Sequence, residues 1–207
     1  YPGKPFDRGK TLSAEDLNRL GGFKRYSDED DGTGVGPRTL PGTDHPLAAY
    51  FVRGSGHNAS AEYTEKPEEW QANMERLARK HAFARTLVPK PVVDEVEGAR
   101  IGIISYGSND PAIREARDML AARGVKTSYL RLRALPFTDD VKSFIANHDH
   151  IYVVEQNRDG QMADLLRLEV GEDQKKIRKI LHYTGLPCDA RSVTTIAAAE
   201  SASMNPS

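Results

Sequence analysis

The chain has 207 residues, 29% of them charged, with 29 Lys and Arg against 30 Asp and Glu and a formal net charge of −1. That length suits one or two domains with a sizeable core, and the even charge excludes a general affinity for nucleic acid or for an anionic membrane. No apolar run spans a bilayer and no signal-peptide pattern occurs; the single cysteine, Cys188, excludes an internal disulfide and an all-cysteine metal or iron–sulfur site in this chain. These features fit a reducing cytoplasm, and a start at Tyr1 rather than Met suggests a fragment or a processed product.

Residues 1 to 45 are rich in Gly, Pro and charge and read as an extended arm. Within them, Ser13-Ala14-Glu15-Asp16 predicts the cap of a short helix ending near Gly21-Gly22. The run Asp28-Glu29-Asp30-Asp31-Gly32 fails the EF-hand pattern, having Gly at the fifth position and no Glu at the twelfth, and reads as a solvated acidic turn. Gly32-Thr33-Gly34-Val35-Gly36 fails as a phosphate loop, because Pro37 follows at once and no Lys-Ser/Thr closes it.

An apolar run, Leu47 to Val52, then leads into Arg53-Gly54-Ser55-Gly56-His57-Asn58. Gly54 and Gly56 permit tight backbone geometry, while Arg53, His57 and Asn58 supply anion, proton and amide chemistry. The competing reading is a loop locked by its own hydrogen bonds, since His57 has no carboxylate or nucleophile at a recognisable spacing. Thr64 and Pro67 then open a long helix that ends before Pro89. Its Trp70, Met74, Leu77 and His81 recur at helical spacing and predict core or interface. Pro89-Lys90-Pro91 and the acidic segment after it read as a linker.

Residues 100 to 190 alternate strand and helix, which predicts parallel pairing with right-handed crossovers. Arg100 to Tyr106 is a buried strand, Asp110 caps a helix reaching Gly124, Lys126 to Leu132 is a second strand, and Thr138 caps a helix to about Asn147. Ile151 to Val154 is an apolar, β-branched run of the kind buried on both faces. It stops abruptly at Glu155-Gln156-Asn157-Arg158-Asp159, and Gly160 opens the next helix, to Val170. Ligands and partners gather at such strand ends, although any βα loop is polar and these residues can equally do no more than solvate and cap. Gln174 to Tyr183 reads as a further helix with a solvated basic face, and Arg191 to Ile196 as a last short strand before a frayed tail.

RTLPGTDHPLAAYFVRGSGHN, YTEKPEEWQANMERLARK, IGIISYGSND, YLRLRALPF and HDHIYVVEQNRDGQMADLL, in this order, resemble the C-terminal part of the alpha subunit of 2-oxoacid:ferredoxin oxidoreductases, the 2-oxoglutarate type above all. The resemblance covers residues 38 to 187, with RGSGHN and VVEQNRDGQM its most specific segments. It implies an α/β fold: an open, mostly parallel sheet with helices on both faces, similar to the transketolase C-terminal domain and preceded by an extended arm and a long helix. The implied organisation is an arm over 1–45, a linker from the pyrimidine-binding domain with the long helix over 46–98, the transketolase-like domain II over 99–196, and a tail over 197–207.

The family's reaction is oxidative decarboxylation of a 2-oxoacid with coenzyme A, giving acyl-CoA, carbon dioxide and reduced ferredoxin. The resemblance implies thiamine diphosphate with Mg and an iron–sulfur cluster, all held by polypeptide outside this chain, and coenzyme A as co-substrate. It implies a beta subunit of the same enzyme, ferredoxin as a partner through the complex, an oligomer, and a cytoplasmic location. This chain alone is expected to be inactive, with no catalytic residue and no metal ligand. Arg53, Gly54, Gly56, His57, Asn58, Glu155, Asn157, Arg158 and Asp159 are the candidates for lining substrate or coenzyme A access or for an interface, with assembly the favoured role. Glu155 has no visible partner in the sequence, so an acid/base role for it is conjecture. The alternatives are the C-terminal domain of a transketolase or 2-oxoacid dehydrogenase relative, and a non-catalytic association module.

Overall fold

The computed structural model describes residues 3, 6–50 and 54–194. The chain divides into two compact units, Tyr1–Leu87 and Val88–Ser207.

In the first unit, helix α1 (Ala14–Leu20) starts at the expected capping box: the Asp16 amide donates to the Ser13 hydroxyl, and the Ser13 amide donates to the Asp16 carboxylate. Gly21, at φ 66°, ends it in the left-handed conformation. Helix α2 (Pro67–Leu87) begins at its proline and stops before Pro89, as read from the sequence. The acidic turn is not left to solvent. Asp28 is buried, and its carboxylate accepts Arg79 Nε at 2.8 Å, Arg79 Nη2 at 2.9 Å and the Gly34 amide at 2.9 Å. Gly34 in turn lies so close to α2 that a Cβ there would sit 2.3 Å from the Lys80 backbone nitrogen. The glycine-rich stretch is therefore needed for this contact. On α2 the buried side chains are Asn73 and Arg76, whereas Trp70, Met74 and Leu77 are 48%, 40% and 41% exposed. The apolar stripe is not core.

The second unit is a five-stranded sheet. Its strands are β1 (Val92–Asp94), β2 (Ile101–Tyr106), β3 (Thr127–Leu132), β4 (His150–Glu155) and β5 (Ile177–Leu181), in the order β1-β3-β2-β4-β5. All neighbours are parallel except β1, which runs antiparallel to β3. Helices α3 (Asp110–Ala121), α4 (Asp139–Ala146) and α5 (Gln161–Glu169) cross between the parallel strands. Strand alternation divides the core between the two faces. Ile101, Ile103, Tyr152 and Val154 pack with Ile113, Ala116 and Leu120 of α3. Ile104, Leu130, Ile151 and Val153 pack with Phe144 and Ile145 of α4 and Ala163 and Leu166 of α5. Gly102 belongs to the second face, where an added Cβ would lie 2.7 Å from both the Phe144 ring and Ile151 Cδ1.

Three sequence expectations fail in this unit. Val92–Asp94, read as linker, forms the antiparallel edge strand. Gln174 to Tyr183, read as a helix, is a 3-10 turn (Gly171–Lys176) followed by β5. Ile177 and Ile180 stand three apart, which mimics helical spacing; in β5 the odd spacing places them on opposite faces, both covered by helices. Residues 190–194 are helical where Arg191 to Ile196 is expected to form a strand, with Ala190 and Val193 buried against the α3 face. Ile196 and the tail lie outside the described residues.

Candidate functional site

The chain leaves β2 for β3 on one side and then returns from β3 to β4 on the other. The loops after β2 and β4 therefore diverge, and a crevice opens at the carboxyl ends of the two central strands. Ser108 follows β2, Gln156 follows β4, and His182 to Pro187 follow β5; together they line a cleft of about 480 Å³. Gln156 Nε2 donates to Asn109 Oδ1 at 2.7 Å and to Ser108 Oγ at 3.2 Å. Asn109 Nδ2 donates to the buried Ser105 hydroxyl and to the Val154 carbonyl, at 3.1 and 3.2 Å. His182 Nε2 lies 2.9 Å from the Leu186 carbonyl, which only accepts, so the Nε2 proton points there. Among the described residues no carboxylate, lysine or arginine lines this cleft. Its described lining offers hydrogen-bonding groups to a polar ligand.

At the β4–α5 junction the predicted side chains bond locally. Glu155 is fully buried, and its two carboxyl oxygens accept the amides of Met162 and Ala163, each at 3.1 Å. It satisfies two of the leading amides of α5, whose Gly160 cap carries no side chain. The partner that the sequence left unseen is thus a helix N-terminus. Burial, and secondarily the Glu155 carboxyl, push the Tyr106 hydroxyl pKa up. Asn157 Oδ1 accepts the amides of Asp159 and Gly160 at 2.8 and 2.9 Å, closing the turn on itself. Arg158 is exposed and reaches Asp159 at 2.8 Å. The Asp159 carbonyl takes the Lys179 ammonium at 2.9 Å.

The other predicted segment lies in the first unit and is also locally bound. Arg53 lies outside the described residues, and Gly54 is exposed with nothing near its Cβ position. A Cβ on Gly56 would sit 2.9 Å from the Thr64 carbonyl oxygen and 3.0 Å from the Trp70 ring. His57 stacks on Tyr26, ring centroids 4.2 Å apart, and its Nδ1 lies 3.2 Å from the Asn58 carbonyl. The Asn58 side chain accepts the Ser60 and Glu62 amides at 3.0 and 3.1 Å and donates to the Glu62 carboxylate. Among the described residues of the two predicted segments, the side chains bond to near neighbours. Ser108, Asn109 and His182, which line or support the crevice, are not among the sequence candidates, because the strand order that brings them together is not a local pattern. Among the described residues no three His, Cys, Asp or Glu stand close enough to hold a metal ion.

No protein-family model matches the chain. It is similar to 2-oxoacid:ferredoxin oxidoreductase 2, subunit alpha, of Aeropyrum pernix, 30% identical over 168 residues that cover 79% of this chain and 25% of that protein. The alpha subunit of oxidoreductase 1 of the same organism is 28% identical over 192 residues, 87% of this chain and 28% of that protein. The alpha subunit from Saccharolobus solfataricus is 27% identical over 170 residues, 80% and 26% of the two chains. Among solved structures, the 2-oxoglutarate:ferredoxin oxidoreductase from Magnetococcus marinus with 2-oxoglutarate, coenzyme A and succinyl-CoA bound superposes with a TM-score of 0.73 at 26% identity, over 86% of this chain and 30% of that one. The chain spans between a quarter and a third of the length of these relatives. Over most of its own length, then, it is similar to part of the alpha subunit of the 2-oxoacid:ferredoxin oxidoreductases.

Proposed function

We propose that the chain is the C-terminal portion of the alpha subunit of a 2-oxoacid:ferredoxin oxidoreductase and that it serves assembly. The enzyme would decarboxylate 2-oxoglutarate or a similar 2-oxoacid oxidatively in the cytoplasm, with coenzyme A, to acyl-CoA, carbon dioxide and reduced ferredoxin. The observation that carries this reading is similarity to alpha subunits over 79–87% of the chain, joined to the use of Asn157 in a turn and of Glu155 at a helix end. Coenzyme A is named with the Magnetococcus marinus neighbour, and a share in substrate or coenzyme A access is the lesser part of the role.

Thiamine diphosphate with Mg, and an iron–sulfur cluster, are what such an enzyme needs. The residues described here do not fit either group. Glu155, the one fully buried carboxyl among them, has both oxygens on helix amides, and Cys188 is the single cysteine. Both cofactors therefore belong on other polypeptide, that of the beta subunit included, and no step of the chemistry is assigned to this chain. Assembly has support in the exposed Trp70, Met74 and Leu77 of α2, since apolar side chains grouped on a surface mark contact sites. Affinity purification from the source organism tests the reading. Recovery of a companion subunit with thiamine diphosphate and iron is expected, together with 2-oxoacid-dependent ferredoxin reduction by the complex and none by this chain. Recovery of the chain by itself, or turnover by it unaided, would overturn the proposal.

A further inference from the structure

The first unit contains a cleft of about 350 Å³ between residues 24–29, the turn at 58–60 and the face of α2 that carries Asn73 and Arg76. Among the described residues three acids line it, Asp28, Glu29 and Glu69, and each has a cation of its own. Asp28 holds Arg79, Glu29 lies 3.5 Å from Lys24, and Glu69 lies 3.4 Å from Lys66. Arg76 does not. It is 6% exposed, and its guanidinium donates to Asn73 Oδ1 through Nε at 3.1 Å and Nη2 at 2.8 Å, and to the Gly34 carbonyl through Nη1 at 2.8 Å. All of these acceptors are neutral, and the Tyr26 ring lies 5.4 Å from the guanidinium carbon. Burial lowers the pKa of this group, with Asp28 acting in the opposite sense. A buried cation without an anion in contact is costly.

Asn73 adds a second, independent sign. It is 8% exposed and its Oδ1 is taken by Arg76, while its Nδ2 donates to no described residue. That nitrogen is not sealed inside the protein; Asn73 opens on the cleft.

We propose that this cleft binds a small organic acid, whose carboxylate lies against the Arg76 guanidinium and the Asn73 amide. Beyond the bonds already made, both side chains retain N–H groups, so the inner wall presents donors to an acceptor-only planar anion. A monoanion also completes the charge, because each lining acid is already matched. The site lies within the first unit alone and does not depend on the enzymatic reading.

The test uses the whole chain at neutral pH and matched ionic strength, with sodium acetate as the probe against sodium chloride. Acetate is expected to raise Tm saturably and to give a binding isotherm by calorimetry. Arg76→Lys, which keeps the charge and loses the fork, should weaken acetate about tenfold or more. Because Arg76 also bonds Gly34, that variant can lose the fold, so Asn73→Asp is the second arm. It places a carboxylate on Arg76 from within the chain, and should raise Tm in chloride while abolishing the acetate response. No acetate effect on the unaltered chain overturns the proposal. An effect that survives Asn73→Asp, or one given by inorganic phosphate and not by acetate, overturns it equally.

Discussion

Replacing Glu155 tests whether the polar strand end is a structural cap. Its carboxyl lies at 0% exposure and accepts two α5 amides at 3.1 Å. In Glu155→Ala both amides lose their acceptor in a buried setting, at about 1–3 kcal/mol each, and the missing side-chain atoms leave a void. With about 1 kcal/mol for the void, the sum is about 3–7 kcal/mol, a large share of the roughly 5–15 kcal/mol that stabilises a domain. Glu155→Gln keeps one acceptor oxygen and turns an NH2 toward the second amide, so about half of that loss is expected. Helix α5 is nine residues long, too short to persist without such support. Urea unfolding followed by circular dichroism gives the free energies, and hydrogen exchange at Met162 and Ala163 reads the local effect. If Glu155→Ala stays within about 0.5 kcal/mol of the parent with both amides still protected, the capping account is wrong and a free, functional carboxyl becomes the better reading.

Gly102→Ala would press a methyl 2.7 Å from the Phe144 ring and from Ile151, and should cost about 1–3 kcal/mol in denaturant melts; a neutral result would mean that α4 shifts freely on the sheet. Hydrogen bonding to Arg79 is the main cause holding the Asp28 pKa below its ordinary value. Its contribution is therefore fully present above the carboxylate range of the unfolded chain, about pH 4, and is lost as pH falls through the folded value. Asp28→Asn should lower Tm at neutral pH and narrow the gap between neutral and acid Tm; an unchanged gap would refute the pairing. Trp70 is the single tryptophan and is 48% exposed, so under the proposed assembly role its emission should shift to the blue when a companion subunit is added. Leu77→Asp should block that shift without changing the circular dichroism of the free chain, and an intact shift would remove the α2 stripe from the assembly role.

The parts legible in the sequence are those whose signal is local. The Ser13 box, the buried run at Ile151–Val154 and the Pro67 helix start each follow from neighbours a few residues apart, and each stands where expected. What escaped depends on partners far along the chain. The Asp28 carboxyl meets an arginine 51 residues later, so an isolated acidic run gave no sign of burial. Helix α2 inverts the usual pattern, burying Asn73 and Arg76 and exposing Trp70, because its neighbour is a polar arm that needs hydrogen bonds. Gln174 to Tyr183 reads as a helix, whereas parallel pairing with β4 makes Ile177–Leu181 a strand. At the strand end, residue types such as Asn157 and Arg158 drew attention to themselves, yet Ser108 and Gln156 form the crevice because β2 and β4 are adjacent.

The two rims of the sheet are poor templates for another chain's backbone. One is the three-residue β1, exposed throughout and ending in Asp94; the other, β5, carries Arg178 and Lys179. Growth by strand addition is thereby discouraged, which favours contacts with another subunit made through side chains. Such a contact is editable one residue at a time, so a single well-chosen charge can dissolve it and leave each half folded.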